Sequence, residues 1–121
     1  MRIDGELWPT TEHYFQAQKF AGTQHEGEIR AAASPRVAAR MGRSRKRPLR
    51  SDWESVKDGL MLKAVREKVR QHADVRAALV GTGEERIVEA SKTDGYWGTG
   101  EDGKGRNRLG EVLMKVRAAL R

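Results

Sequence analysis

Residues 94–120 read DGYWGTGEDGKGRNRLGEVLMKVRAAL, and the fold class turns on how this stretch is read. Its second half carries the clearest helix pattern of the chain. Leu109, Val112, Leu113, Val116, Ala119 and Leu120 recur at steps of three and four and so line one helical face. Its first half contains Gly98-x-Gly100-x-x-Gly103, the spacing of a dinucleotide-binding turn. Such a turn follows a strand and opens directly into a helix, whereas Gly103 stands six residues before Leu109. No repeated strand–helix–strand pattern surrounds it. The glycines therefore read as a loop, and the chain is expected to be mainly α with little β structure.

The upstream sequence agrees. Pro9-Thr10-Thr11-Glu12 is a helix start, with Thr10 as cap and an acid in the first turn, and that helix is expected to reach Phe20 before Gly22. A short helix over 26–33 follows. Ser34-Pro35 supplies a second cap with proline at the first helical position, for a helix ending near Gly42. Ser51 or Asp52 is expected to cap the longest helix, to about Gln71, on which Trp53, Val56, Leu60 and Ala64 recur at helical spacing. Another helix is expected over 74–80, stopped by Gly81 and Gly83. The best strand candidate is RIVEA at 86–90.

At 121 residues the chain fits one domain, and it has no apolar run near the ~18 residues of a membrane span. Cysteine is absent, which excludes disulfides and thiolate metal sites and is compatible with a cytoplasmic location. His13, His25 and His72 show no metal-ligand spacing, so neither a protein-bound metal nor another cofactor is expected. The formal net charge of +7 favours polyanionic partners: nucleic acid, nucleotides or sugar phosphates.

Two clusters can carry chemistry. Glu12, Gln16 and Lys19 project from one side of the first helix, with Tyr14, Ala17 and Ala21 assigned to the core on the other. This polar side is either a solvated face or an acid and an amine presented into a pocket. In the second case a carboxylate there activates water, and a desolvated lysine acts as a nucleophile. The second cluster is basic: Arg36, Arg40, Arg43, Arg45, Lys46, Arg47 and Arg50. Most of these charges are expected in solvent, with one or two arginines free to bind phosphate bidentately. Trp53 reads either as a core anchor or as a stacking platform.

Four segments together carry a resemblance. WPTTEHYFQAQKF, SPRVAARMGRSRKRPLRSDWESVK, IVEASKTDGYWGTG and GKGRNRLGEVLMKVR resemble, in order and spacing, the YbiA-like branch of the NADAR superfamily. The similarity runs from about residue 3 to the C-terminus. It implies a mostly helical domain over 1–121 without the Phe-Ser-Asn-Phe segment that usually precedes IDGELWPTTEH in the family.

It also implies hydrolysis of an N-glycosidic bond. The substrate is either an aminated pyrimidine ribose 5-phosphate of the early riboflavin pathway or ADP-ribosylated guanine in nucleic acid. By the resemblance Glu12, Lys19 and Asp94 are catalytic. Trp53, Trp97, Gly98 and Asn107 bind substrate, and Arg43 and Arg50 are phosphate candidates. A small-molecule ribose phosphate is thus the expected partner, with modified nucleic acid as an alternative and no membrane. A non-catalytic module binding ADP-ribose or nucleic acid is the reading from another class. A general basic nucleic-acid binder would leave the acidic and aromatic motif residues without a role.

Overall fold

The computed structural model describes residues 1–120. In chain order it comprises β1 (Arg2–Ile3), β2 (Glu6–Leu7), α1 (Thr11–Gln18), α2 (Gln24–Arg30), α3 (Pro35–Arg43), α4 (Trp53–Gln71), α5 (Ala73–Gly81) and α6 (Arg108–Ala119). The chain is mainly α, as expected. It divides into two units, Met1–Lys68 and the remainder from Val69.

Local chemistry sets the helix starts in the first unit. The Thr10 hydroxyl accepts from the His13 amide at 3.1 Å, Thr23 from the His25 amide at 3.2 Å, and Ser34 from the Val37 amide at 3.2 Å. Each satisfies an amide that the first helical turn leaves without a partner. α2 therefore begins at Gln24 rather than 26. α1 ends at Gln18 rather than Phe20, because Lys19 and Phe20 tighten into a turn through bonds to the Gln16 and Ala17 carbonyls at 3.2 and 3.0 Å. That turn carries Ala21 off the helical face, so Ala21 is exposed and not part of the core.

α1 packs against α2 and α3. Ile3, Trp8, Tyr14, Ala17, Phe20, Ile29, Ala38 and Ala64 form one buried apolar cluster, with Trp8 edge-on to Tyr14 at 5.4 Å between ring centroids. His13 is buried among them. Its Nδ1 is 2.7 Å from the Thr10 hydroxyl and its Nε2 is 3.0 Å from the Ala32 carbonyl, so both nitrogens are used structurally.

The strand expected at 86–90 does not form, and a hairpin occupies residues 2–7 instead. Arg2 pairs with Leu7 and Ile3 with Glu6 across the two-residue turn Asp4-Gly5, both at positive φ (53° and 81°). Asp-Gly at those positions is the signature of a tight hairpin turn. Segment 86–90 has no partner strand among the described residues. An asparagine side chain and a neighbouring loop take up its backbone groups, as described below.

In the second unit α5 contacts α6, with Leu79, Val112 and Val116 buried. Arg117 is buried as well and donates to the Thr82 hydroxyl at 2.8 Å.

Candidate active site

The polar side of α1 is not a solvated face. Gln16 is 7% exposed and Lys19 8%, while Glu12 is half-buried. Glu12 and Gln16 are one helical turn apart, and the Gln16 amide donates to Glu12 Oε1 at 2.8 Å. One turn further on, Lys19 Nζ donates to the Gly42 carbonyl at 3.4 Å and lies 5.7 Å from the centre of the Trp53 ring. Trp53 is itself buried, 5.1 Å from Phe15 between centroids, and presents a π face to the ammonium.

Burial is the main reason that Lys19 titrates at about 8 instead of 10.5, since an ammonium loses hydration there. The nearby Arg45 adds to the effect, Glu12 opposes it, and Arg43 and Lys57 add smaller pushes in the same direction. At pH 7 this makes roughly a tenth of the amine neutral, some ~300-fold more than for an ordinary lysine. A half-buried carboxylate and a buried, partly neutral amine thus share one face of this segment.

The two phosphate candidates differ. Arg43, at the end of α3, is exposed. Arg50 is already engaged: Nε and Nη2 reach the two Asp52 oxygens at 2.6 and 3.0 Å, and Nη1 donates to the Gln18 carbonyl at 3.2 Å. Its backbone amide bonds the Lys19 carbonyl at 3.0 Å, so Arg50 ties the basic connector to the end of α1. α4 begins at Trp53, directly after Asp52, whose carboxylate takes part in this ion pair.

Glu12, Lys19, Arg43, Arg50 and Trp53 lie in the first unit, and Asp94, Trp97, Gly98 and Asn107 in the second. In the second unit the glycine-rich loop is folded on itself. The amides of Gly105, Arg106, Asn107, Arg108 and Leu109 donate to the carbonyls of Thr99, Gly95, Gly98, Tyr96 and Trp97 at 2.7 to 3.0 Å. A phosphate cradle needs its amides directed at the ligand, and these are spent on the loop's own carbonyls.

Asp94 Oδ1 accepts from the Tyr96 and Trp97 amides at 2.9 and 2.8 Å and so fixes the backbone that carries the Trp97 indole. Gly98 is buried, and a Cβ there would stand 2.7 Å from the Glu89 carbonyl. Asn107 is 3% exposed and sits in the left-handed conformation, at φ 53°. Its side chain donates to the Ile87 carbonyl at 3.0 Å and accepts from the Glu89 amide at 2.9 Å. The Thr99 amide takes the Glu89 carbonyl at 2.9 Å. Asn107 and Thr99 therefore hold segment 87–89 without a second strand. Beside this loop opens a cleft of about 790 Å³, whose lining includes Lys92, Thr93, Glu101 and Asp102.

Among the described residues no group of three His, Asp or Glu side chains is placed to hold a metal, and no helix is long and apolar enough to cross a membrane. Sequence reasoning gave Gly42 only as a helix end and Arg45 only as one of the basic cluster, and missed their contact: Arg45 Nη2 donates to the Gly42 carbonyl at 2.9 Å. The available signal was a glycine in the last turn of a helix, where it is unfavourable unless something packs closely.

The NADAR domain profile matches residues 1–121, and the chain belongs to this family. It is 54% identical over 120 residues to the N-glycosidase YbiA of Escherichia coli (strain K12), covering 99% of this chain and 75% of that protein. It superposes on the NMR structure of the E. coli protein YbiA with a TM-score of 0.90 and 54% identity, covering 99% of this chain and 71% of that one. The chain is accordingly an enzyme of the N-glycosyl hydrolase class. A maize protein named chloroplastic riboflavin biosynthesis protein PYRR is 40% identical over 123 residues, which is 93% of this chain and 20% of that protein.

Proposed function

We propose that the chain, acting as one NADAR domain, hydrolyses the C–N bond between ribose phosphate and an aminated base. The substrate class is the early riboflavin-pathway pyrimidine ribose 5-phosphates. The observation that carries this reading is the Glu12–Gln16–Lys19 cluster, with Gln16 and Lys19 buried and Lys19 against Trp53. The name of the maize relative supports the substrate class.

In direct hydrolysis, positive charge builds at the sugar C1 as the C–N electron pair moves onto nitrogen. Glu12 stabilises that charge and takes a proton from water, whose oxygen bonds to C1, and then passes this proton to the nitrogen of the departing amine. In the alternative route the aminal opens to an aldehyde-equivalent carbon. Neutral Lys19 adds there, an imine forms as the base amine departs, and water releases the free sugar phosphate from the lysine.

Arg43 is assigned to the phosphate and Trp53 and Trp97 to the base. Asp94 and Gly98 are assigned to the substrate through the family motif. Arg50 is assigned to shaping the backbone at the end of α1 beside Lys19, and Asn107 to shaping segment 87–89, because their side chains already have protein partners.

The second reading, ADP-ribosylated guanine in nucleic acid, draws on the net charge of +7 and on Arg36, Arg40, Arg43 and Arg45, all exposed. Mass spectrometry of the purified chain with both substrate types separates the two. Release of ribose 5-phosphate supports the first reading and release of ADP-ribose the second. Tight binding without turnover of either marks a non-catalytic module and sinks both. Glu12→Gln should abolish turnover with little change in thermal midpoint, because the new side chain keeps the acceptor used by Gln16. Turnover like wild type in that variant would exclude Glu12 as the essential acid or base.

A further inference from the structure

Gly42 lies in the last turn of α3, and its φ is not positive. Its backbone therefore does not require glycine, and the reason for glycine there has to be space. A Cβ at this position would collide with Gln16 Oε1 and stand 2.8 Å from Gln16 Cδ and 3.0 Å from Gln16 Cβ. The Gln16 amide is lodged where the side chain of residue 42 would be.

The orientation of that amide is fixed. Its nitrogen donates to Glu12 Oε1, and reversing it would set two oxygens against each other. Oε1 is consequently turned toward Gly42, buried and without a hydrogen-bond donor among the described residues. A buried, unsatisfied amide oxygen is costly and is retained where the rest of the group has a task. The carbonyl of the same glycine receives Lys19 Nζ and Arg45 Nη2. One residue thus touches the supports of both reacting groups.

We propose that Gly42 and Gln16 are the positioning residues of the reacting pair. The missing side chain at 42 seats the Gln16 amide so that it orients the Glu12 carboxylate, and the Gly42 carbonyl aims the Lys19 amine. The inference rests on the assignment of Glu12 and Lys19 as reacting groups.

A double-mutant cycle tests it. Gly42→Ala is expected to lower kcat at least tenfold with KM within threefold, by displacing Gln16. Gln16→Ala is expected to cost a similar factor and to open room for the new methyl group. The double variant should then be no slower than Gln16→Ala alone. Multiplying losses in the double variant would overturn the linkage. Gln16→Met keeps the bulk and removes the donor; wild-type kcat in a folded Gln16→Met would overturn the role of the hydrogen bond.

A readout independent of turnover accompanies these rates. In ¹⁵N NMR spectra the Gln16 side-chain amide resonances should shift in both Glu12→Gln and Gly42→Ala. Unchanged resonances in both would refute the positioning pair whatever the rates. Wild-type turnover in Glu12→Gln, with the Gln16 resonances shifting as expected, would instead refute the assignment of the reacting groups and leave the contact standing.

Discussion

Lys19→Met should stabilise the protein at neutral pH, and the gain should vanish in alkali. Lys19 titrates at about 8 in the folded chain and at 10.5 when unfolded, chiefly because folding buries it and sets it near Arg45. Each tenfold change in an acid constant corresponds to about 1.4 kcal/mol, so this difference corresponds to about 3 kcal/mol against the folded state. The sign follows from proton binding. Between pH 8 and 10.5 the unfolded chain holds the extra proton, so stability rises with pH across that window. Below pH 8 both states are protonated and the whole penalty is present.

Methionine keeps the length and removes the charge. The Gly42 carbonyl keeps Arg45 as a donor. Allowing for the lost contact with Trp53, the variant should be more stable at pH 7 by about 2–3 kcal/mol, or roughly 5–12 °C in thermal midpoint for a chain of this size. The assay is the difference in midpoint between variant and wild type from pH 6.5 to 10.5, which cancels groups common to both. A difference that stays flat with pH, or a variant less stable at pH 7, would refute the reasoning.

Three further outcomes are expected. Asn107→Ala should lose about 2–4 kcal/mol in denaturant titrations, because it gives up two hydrogen bonds and puts alanine at positive φ; Asn107→Gly should recover part of this, and the Glu89 amide should exchange faster in both. Arg43→Gln should raise KM for a phosphorylated substrate at least tenfold, whereas Arg50→Lys should change the thermal midpoint more than KM, since Asp52 and Gln18 hold that guanidinium; equal effects on KM would contradict this division. Borohydride added during turnover should leave a sugar adduct on Lys19 if the imine route operates, detectable by peptide mapping, and its absence under trapping conditions would assign the reaction to direct hydrolysis.

What could be read from the sequence was governed by neighbours along the chain. The Thr10 cap and the Ser34-Pro35 start act over three residues, and both helices begin where those signals put them. The face of α6 was legible for the same reason. Asp4-Gly5 was an equally local signal and announces the hairpin that the reading of 86–90 as a strand displaced. Segment 86–90 has a strand's composition, but an asparagine side chain 18 to 20 residues away takes up its backbone. Helical periodicity grouped Glu12, Gln16 and Lys19 yet could not say whether that side was wet, because their burial depends on α3 and on Trp53. The need for glycine at 42 likewise exists only once α3 meets α1.

The glycine-rich loop has a consequence beyond its sequence. Its amides and carbonyls close on one another across about ten residues, so it is a preformed tile rather than a hinge. Flexible glycine runs lose motion when a ligand arrives, and that loss weakens binding. Here the freezing is completed during folding, so a molecule reaching this surface meets a relief already set. The price is borne by heredity instead: Gly98 and Gly105, each walled in by backbone carbonyls at 2.7 Å from any added Cβ, leave mutation almost nothing to work with.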